Sequence, residues 1–429
     1  MRNAPHPWVF KMPSPFKNVT CPFCALHCDD LVVAFQAQDL RVIENGCPKA
    51  VAGFERKVEQ ISPQIDGQPV SLKDAIKQAA TIMRRSRKPL YAGLATDVEG
   101  TRAVMALADQ TRGIVDHMNT AGMMRNMRAV QSQGWIATTM GEIKNRADLL
   151  IFVGTDGRNF PRLFERVVWN EEAMFLSKPQ EREIIFLGRG LEPPSERPKR
   201  SQVTQVKCDT KDLGLVANAL RVLVRGHALS AKSVAGVKVA ELQALAKRMQ
   251  SARYGVILWE PAKLDFPHAD LTIMAVCDII RDLNQTTRFA GFPLVGNEGG
   301  QSAQSVCAWQ SGYPLRVSYQ SGHPEYDPIG NGAPTLLENN EVDALVWISS
   351  ITPGRTPPLA KVPTIVLAEP GMTFPKPPAV YIPVGSPGLD HVGRMVRCDN
   401  VVSVPLRRLR ELHYPSVAQA LESIQEALR

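Results

Sequence analysis

The stretch "ADLLIFVGTD" (residues 147–156) decides the fold class of this chain. Its centre, "LLIFVG" (149–154), is an uninterrupted apolar run of strand length that leads into threonine and aspartate. A strand that is apolar on both faces is typical of the middle of a parallel sheet covered by helices. Runs of the same kind recur along the chain, at "EIIFLGRG" (183–190), "YGVILWEP" (254–261), "DALVWISS" (343–350), "PTIVLAEP" (363–370) and "AVYIPVG" (379–385).

Amphipathic segments separate these strands. In "SLKDAIKQAATIMRRS" (71–86), Ser71 is placed to cap a helix, Asp74 occupies the capping-box position, and the apolar residues form one stripe. A strand, "KPLYAGLA" (88–95), follows. Further helices are predicted near 100–112, 160–175, 211–225, 238–250, 268–283 and 334–341, and over the closing segment 416–429. The alternation of strands and helices predicts an α/β protein with more than one doubly wound parallel sheet.

Composition and charge exclude several classes of protein. The 429 residues exceed what one small core needs, so more than one domain is expected. The net charge of +8 comes from dispersed basic residues, and no basic stripe is interleaved with aromatic residues, so nucleic acid is not an expected partner. No apolar run reaches membrane-spanning length, and the Pro-rich residues 1–18 have no signal-peptide core. We therefore expect a cytoplasmic protein whose residues 1–18 form an extended arm.

Four cysteines crowd the segments "CPFCALHCDD" (21–30) and "NGCPKA" (45–50). They are Cys21, Cys24, Cys28 and Cys47, and without a secretion signal they do not indicate a disulfide framework. A [4Fe–4S] cluster, a structural Zn²⁺ and four unligated thiols all remain open. Zinc sites usually pair their cysteines, so the close triplet with one distant cysteine favours iron–sulfur. We expect His27, inside the triplet, to be an exposed loop residue, and the scattered Cys208, Cys277, Cys307 and Cys398 to be ordinary buried thiols.

Ligands of doubly wound sheets bind at the carboxyl ends of the strands. The loops placed there by the strand pattern are 93–101, 117–126, 154–161, 295–305 and 349–354. His117 is the best-placed histidine, although a structural role in its loop is the simpler interpretation. The glycine- and amide-rich segment 295–314 is either a ligand-binding backbone or a tight loop between domains. Phosphate-loop, dinucleotide, zinc-protease and serine-hydrolase motifs are all missing from the sequence.

The cysteine segment resembles the cluster module of molybdopterin oxidoreductases. More closely, the chain resembles the B subunit of formylmethanofuran dehydrogenase, which carries a tungsten or molybdenum pterin. Stretches similar to that family occur in the same order, at 141–156, 308–319, 323–332, 340–349 and 388–408. The resemblance implies a molybdopterin-oxidoreductase-like α/β fold, in which a small N-terminal cysteine module precedes two interleaved doubly wound parallel-sheet domains. The expected parts are the arm 1–18, the module 19–65, a first domain of 66–130 plus 291–410, a second domain 131–290 and a C-terminal helix 411–429.

The chain departs from that family at the metal site. In the dehydrogenase, the loop after "NTA" carries a cysteine or selenocysteine that ligates the metal, followed by histidine. Here the loop reads "NTAGMMRNM" (119–127), with Met124 and Arg125 at those two positions. A thioether cannot replace a thiolate on a high-valent metal, and a guanidinium cannot shuttle protons near neutral pH. We therefore expect no catalytic residue and no tungsten or molybdenum pterin in this chain.

The resemblance also implies partners and a role. The formyltransferase/hydrolase complex of methylotrophic bacteria is similar to the dehydrogenase in all its subunits and moves formyl groups without redox chemistry. The expected role is a redox-inactive structural subunit, with an amidohydrolase-like A subunit, a C subunit and a formyltransferase D subunit as partners. Two alternatives remain: an active tungsten or molybdenum dehydrogenase subunit with altered ligation, and a zinc-module protein with a binding role.

Overall fold

Helices and parallel strands alternate along the computed structural model, which describes residues 15–36, 39–58, 60–169, 172–178, 181–194 and 201–429. The strands are β1 (Phe16–Val19), β2 (Leu31–Gln36), β3 (Asp39–Glu44), β4 (Gln64–Ile65), β5 (Gln68–Pro69), β6 (Pro89–Ala95), β7 (Ile114–Val115), β8 (Leu149–Val153), β9 (Glu183–Leu187), β10 (Gln202–Val206), β11 (Ser233–Val234), β12 (Val237–Lys238), β13 (Gly255–Trp259), β14 (Phe289–Pro293), β15 (Val317–Ser318), β16 (Glu325–Tyr326), β17 (Ala344–Ser349), β18 (Thr364–Ala368), β19 (Val380–Pro383), β20 (Gly393–Val396) and β21 (Ser403–Leu406). The α-helices are α1 (Pro48–Phe54), α2 (Leu72–Arg85), α3 (Val98–Gln110), α4 (Thr120–Gln133), α5 (Met140–Arg146), α6 (Leu213–Val224), α7 (Val239–Ser251), α8 (Ala269–Leu283), α9 (Gly300–Ser311), α10 (Ala333–Glu338) and α11 (Val417–Leu428). A π-helical turn covers Phe164–Val168, and a 3₁₀ turn covers Thr210–Asp212.

The larger sheet has the strand order β16-β15-β7-β6-β17-β18-β19-β4-β5. Its five central strands, from β7 to β19, are parallel, whereas the outer pairs run antiparallel. Helices α2, α3, α9 and α11 pack on one face, and α10 packs on the other. The buried apolar runs of the sequence are therefore the central strands, covered on both faces as predicted.

The second sheet is wholly parallel, with the order β10-β9-β8-β13-β14. Helices α6, α7 and α8 cover one face, and the cysteine module and the π-helical turn pack on the other. All five strands come from residues 149–293, between β7 and β15 of the larger sheet. The predicted α/β class with two doubly wound sheets is confirmed, while the predicted domain bounds stay predictions.

Several predicted elements match the structure closely. Helix α2 begins after Ser71, whose hydroxyl oxygen accepts a hydrogen bond from the Asp74 N–H at 3.1 Å. The apolar runs named above correspond to β8, β9, β13, β17, β18 and β19. The closing helix buries Val417, Leu421 and Ile424, as its apolar spacing predicts.

Other local predictions were wrong. The segment 160–175, predicted as a helix, contains the π-helical turn instead. Much of the predicted loop 117–126 is the first part of α4, and residues 300–311 of the glycine-rich segment form α9. Residues 1–14 of the predicted arm lie outside the described residues, and residues Phe16–Val19 form a strand of the small sheet β1-β2-β3.

The cysteine module consists of this three-stranded antiparallel sheet and α1. Arg162, which precedes the π-helical turn, holds the module with two hydrogen bonds to the Asp30 carboxylate at 2.7 and 2.8 Å. A C-terminal hairpin, β20-β21, approaches from the other side, where the Cys398 N–H donates to the Ala25 carbonyl at 2.9 Å. Within the ranges described, no helix combines the length and the apolar character needed to span a bilayer.

Candidate functional site

A cavity of about 230 Å³ lies where the carboxyl ends of strands from the two sheets face each other. It is lined by Lys49, Asn119, Gly122, Met123, Asn159, Phe160, Glu260, Pro261, Ala262, Leu294, Val295, Gly296, Asn297, Glu298 and Arg355. Three of the predicted loops (117–126, 154–161 and 295–305) contribute to it, and Arg355 directly follows a fourth. The predicted loops therefore meet at one cavity, while ligand binding there stays a prediction.

Two buried carboxyl groups line the cavity and differ in their partners. Glu260 is fully engaged, because its Oε2 accepts from the Thr155 hydroxyl at 3.1 Å and its Oε1 accepts from the Asn159 amide at 2.5 Å. Glu298 is 6% exposed, and its Oε2 has no hydrogen-bond partner among the described residues. Burial raises the pKa of Glu298, although a hydrogen bond to Thr352 and the Arg355 guanidinium, 3.6 Å away, oppose the rise. The carboxyl group of Glu298 thus keeps one oxygen, Oε2, without a partner among the described residues.

Hydrogen bonds at the cavity wall join the cysteine module to both sheets. The Asn297 side-chain oxygen accepts from the Ala25 N–H at 3.0 Å, and the Asn297 carbonyl accepts from the Asn119 amide at 3.2 Å. Lys49, in α1, donates to the Asn159 carbonyl at 2.8 Å. The cavity is therefore a three-way junction, and its shape depends on all three parts of the chain.

His117 has a structural role at this junction. It is 1% exposed, its Nε2–H donates to the Glu298 carbonyl at 2.9 Å, and its Nδ1 accepts from the Asn119 N–H at 3.0 Å. Both ring nitrogens are used in the neutral form, and burial lowers the pKa of His117 to about 4. The imidazole fixes the backbone of the cavity wall and has no nitrogen left for a substrate.

This pKa predicts acid sensitivity. The unfolded chain takes up the His117 proton near pH 6.5 and the folded chain only near pH 4, so stability is lost as the pH falls through this window. The full effect is about 3 kcal/mol. His117→Gln should therefore flatten the decline in the free energy of unfolding, measured by urea titration at pH 7.5, 5.5 and 4.5. The exposed His413 gives the control, and equal pH slopes for His413→Gln and His117→Gln would contradict this assignment.

Met124 and Arg125 lie beside the cavity but do not line it. Met124 is buried, and its sulfur accepts a weak hydrogen bond from the Tyr326 hydroxyl at 3.7 Å. Arg125 donates to the Pro261 carbonyl at 2.8 Å and pairs with Asp265. Both side chains are therefore engaged in packing α4 against its neighbours.

Two neighbouring residues of α4, Gly122 and Met123, do line the cavity. Gly122 lies so close to the loop after β13 that a Cβ there would stand 3.0 Å from the Ala262 backbone. Gly122 and Met123 offer neither a thiolate nor a proton carrier to the cavity. At the positions that would bind and serve the metal, the residues present therefore do not fit the tungsten or molybdenum pterin centre that the family resemblance implies.

The four cysteines of the module are near enough for their thiols to raise one another's pKa. Cys21, Cys24 and Cys28 are buried and Cys47 is partly exposed, and none forms a disulfide. The Cys21 N–H donates to the Cys28 carbonyl at 2.8 Å, which closes the loop. Burial raises the pKa of Cys24 to about 12, and the thiols of Cys28 and Cys47 add to the rise.

Thiol ligation of one metal centre needs all four sulfur atoms in one place. In the described part of the chain, however, no three His, Cys, Asp or Glu side chains are arranged to hold a metal ion. The predicted [4Fe–4S] or Zn²⁺ therefore stays a prediction.

Two residues in or near the module, His27 and Cys398, have surroundings that the sequence did not predict. His27, predicted to be exposed, is 3% exposed; its Nδ1–H donates to the Cys21 carbonyl at 3.1 Å, and burial lowers its pKa to about 4. The prediction was wrong because Val396 and Arg397 of the C-terminal hairpin cover the ring. Cys398 is buried as predicted, but it is not isolated, since the Cys24 thiol helps to raise its pKa. Each contact joins residues that lie several hundred positions apart, so no local sequence pattern could predict it.

Several known proteins are similar to this chain. No family model matches the chain. The B subunit of the tungsten-containing formylmethanofuran dehydrogenase 2 of Methanococcus maripaludis is 25% identical over 411 residues, covering 92% of this chain and 94% of the relative. The corresponding protein of Methanocaldococcus jannaschii is 26% identical over 410 residues, covering 92% of this chain and 93% of the relative. The B subunit of the formyltransferase/hydrolase complex Fhc of Methylorubrum extorquens is 27% identical over 331 residues, covering 76% of this chain and 85% of the relative.

Solved structures show the same likeness. The crystal structure of the M. extorquens formyltransferase/hydrolase complex (FhcABCD) with methylofuran contains a chain that matches with a TM-score of 0.74 at 25% identity, over 86% of this chain and 98% of that one. Acetylene hydratase from Pelobacter acetylenicus matches with a TM-score of 0.61 at 10% identity, over 96% of this chain and 70% of that one. The second match concerns the fold alone, and it supports the predicted molybdopterin-oxidoreductase-like architecture.

Proposed function

We propose that this chain, a homologue of the B subunits of formylmethanofuran dehydrogenase and of the formyltransferase/hydrolase complex, is a structural subunit of such a formyltransferase/hydrolase complex and performs no redox chemistry. The complex would move a formyl group from formyl-tetrahydromethanopterin to a methanofuran-type carrier and release formate, in one-carbon metabolism. The transfer and hydrolysis would take place on the A, C and D subunits.

One observation carries the redox-inactive role. The side chains at the two positions that would bind and serve the metal are both committed to packing, Met124 to Tyr326 and Arg125 to the Pro261 carbonyl. A working centre needs a thiolate or comparable anionic ligand directed at the metal. Neither residue supplies one, and neither lines the cavity at the strand ends.

A second observation supports the proposed assembly with partner subunits. The chain covers 98% of the matching chain in the FhcABCD crystal structure, so nearly the whole length of that chain has a counterpart here. The dehydrogenase relatives are matched over a larger share of this chain, at 92%. Similarity alone therefore does not separate the two functions, and the proposal depends on residues 124 and 125.

The metal content of the purified complex tests the proposal. We expect tungsten and molybdenum below about 0.1 atom per copy of this chain, from cells grown with both metals and purified without adding either, because the ligand set lacks a thiolate. Elemental mass spectrometry measures all the relevant metals together. About one tungsten or molybdenum with about four irons per chain would instead establish the active dehydrogenase alternative. The iron and zinc counts would at the same time identify what the four cysteines hold.

A further inference from the structure

A second cavity, which the proposed function does not use, lies between α4, α9 and the end of β14. Its volume is about 430 Å³, within the usual range for small-molecule sites. We refer to it as the amide pocket. It is lined by Met123, Asn126, Met127, Val130, Trp135, Ala137, Thr138, Phe292, Pro293, Val295, Gln301, Gln304, Cys398, Asp399 and Asn400.

Gln301 is the decisive residue of the amide pocket. It is 6% exposed and lines the cavity from the first turn of α9, yet its side-chain amide makes no hydrogen bond to any residue that the structure describes. Neither atom of this amide is among the enclosed polar atoms that lack a partner, so both reach the open space of the cavity. A molecule bound there can supply the hydrogen-bond partners that the described residues do not.

Two further amides face the same space with a free donor. The Asn126 oxygen accepts from the Trp259 indole N–H at 2.9 Å, and the Asn400 oxygen accepts from the Ser305 hydroxyl at 3.1 Å. Each bond fixes the orientation of its amide and leaves an NH₂ group. Together with Gln301, which offers both a donor and an acceptor, the pocket presents groups that match a carboxamide.

The charge of the pocket selects a neutral molecule. None of the described residues that line it is lysine, arginine or histidine. Asp399 is the one acidic residue in the lining, and its carboxylate already pairs with the Arg397 guanidinium at 2.9 and 2.8 Å. A carboxylate or phosphate would therefore lose its hydration here without gaining a cation.

The apolar walls of the pocket favour a compact, flat molecule. Trp135 and Phe292 supply aromatic surface, and Met123 and Met127 are flexible enough to adapt to an irregular outline. We infer that the amide pocket binds a small neutral molecule in which a carboxamide is attached to a flat, largely apolar ring. Gln301 pairs with the carboxamide, and the apolar walls hold the ring.

Nicotinamide and nicotinate give a matched pair of probes, because they share the ring and differ in the neutral or charged group. Isothermal titration of the full chain, with any subunits that copurify, should show one saturable nicotinamide site per chain. Nicotinate should bind at least about 10-fold more weakly, since the pocket has no free cation. Gln301→Met keeps the side-chain size but removes the paired groups, and it should weaken nicotinamide binding about 10-fold.

Gln310→Met is the control, because Gln310 is exposed on the same helix, and it should leave binding unchanged. Ala137→Phe is a second test, since Ala137 is an exposed residue at the pocket whose enlargement should narrow it without disturbing the core. Three results would each overturn the inference: no nicotinamide binding to the natural chain, equal affinity for nicotinate, or undiminished binding to folded Gln301→Met and Ala137→Phe.

Discussion

Replacing Arg182 with methionine is expected to lower the free energy of unfolding by about 4 kcal/mol. Arg182 is 2% exposed, and its guanidinium donates to the carbonyls of Ala147 at 2.9 Å and Val167 at 3.4 Å, and to those of Val168 and Lys144. Methionine can fill the space, but it leaves these buried acceptors without donors. Burial lowers the pKa of Arg182 to about 10, and within the described ranges no carboxylate pairs with it.

The Arg182→Met substitution should also loosen the packing of the cysteine module. Arg182 fixes the end of the π-helical turn, and this part of the chain carries Arg162 and Arg166, which bind Asp30 and Asp29 of the module at 2.7 and 2.6 Å. Urea unfolding of Arg182→Met gives the stability change, and mass spectrometry after brief alkylation gives the accessibility of Cys28, which should rise. Arg225→Met, at an exposed position, is the control. Equal losses of stability in the two variants would show that the carbonyl contacts contribute nothing.

The second large effect is expected at Gly299, the residue before α9. Its φ is +69°, and a Cβ there would overlap the Thr96 carbonyl oxygen. Gly299→Ala should therefore lower the free energy of unfolding by about 3 kcal/mol, since backbone atoms cannot rotate away from the clash as a side chain can. The variant and the natural chain are compared by urea unfolding at one pH.

The same substitution at Gly312, at the other end of α9, separates the cost of the positive φ from the cost of the overlap with Thr96. Its φ is +82°, but a Cβ there would meet nothing within 4 Å. Gly312→Ala therefore measures the cost of the backbone conformation alone, about 1 kcal/mol. A Gly299→Ala loss no greater than the Gly312→Ala loss would mean that the contact between loop 93–101 and α9 is easily relaxed.

The central strands could be predicted because a strand covered on both faces leaves a continuous apolar run, as in β8 and β17. The position of the cavity followed from those strands, since the loops after them meet at one edge. Glu260 directly follows β13, and this placement of a carboxyl after a buried strand was a signal that sequence reasoning overlooked. The sequence also showed that Met124 and Arg125 lack the required chemistry, although not what they contact.

The remaining features depend on contacts between distant parts of the chain. Helix α9 contains three serines and three glutamines and follows a glycine-rich loop, so its composition favoured a loop, and tertiary packing overrode that preference. His27 is buried by a hairpin that lies about 370 residues later in the chain. No local pattern marks Arg182, because its acceptors are backbone carbonyls of two separate segments, the π-helical turn and the end of α5.

The insertion of the second sheet between β7 and β15 affects the order in which the two sheets can fold during synthesis. About 250 residues separate the end of β6 from the start of its neighbour β17. At roughly 5–20 residues per second, the ribosome takes about 12–50 s to deliver β17 after β6 has emerged. All five strands of the second sheet leave the ribosome within that interval. We therefore expect the inserted sheet to form first, while β6 still lacks its neighbour β17 and presents an unpaired edge that is prone to aggregation.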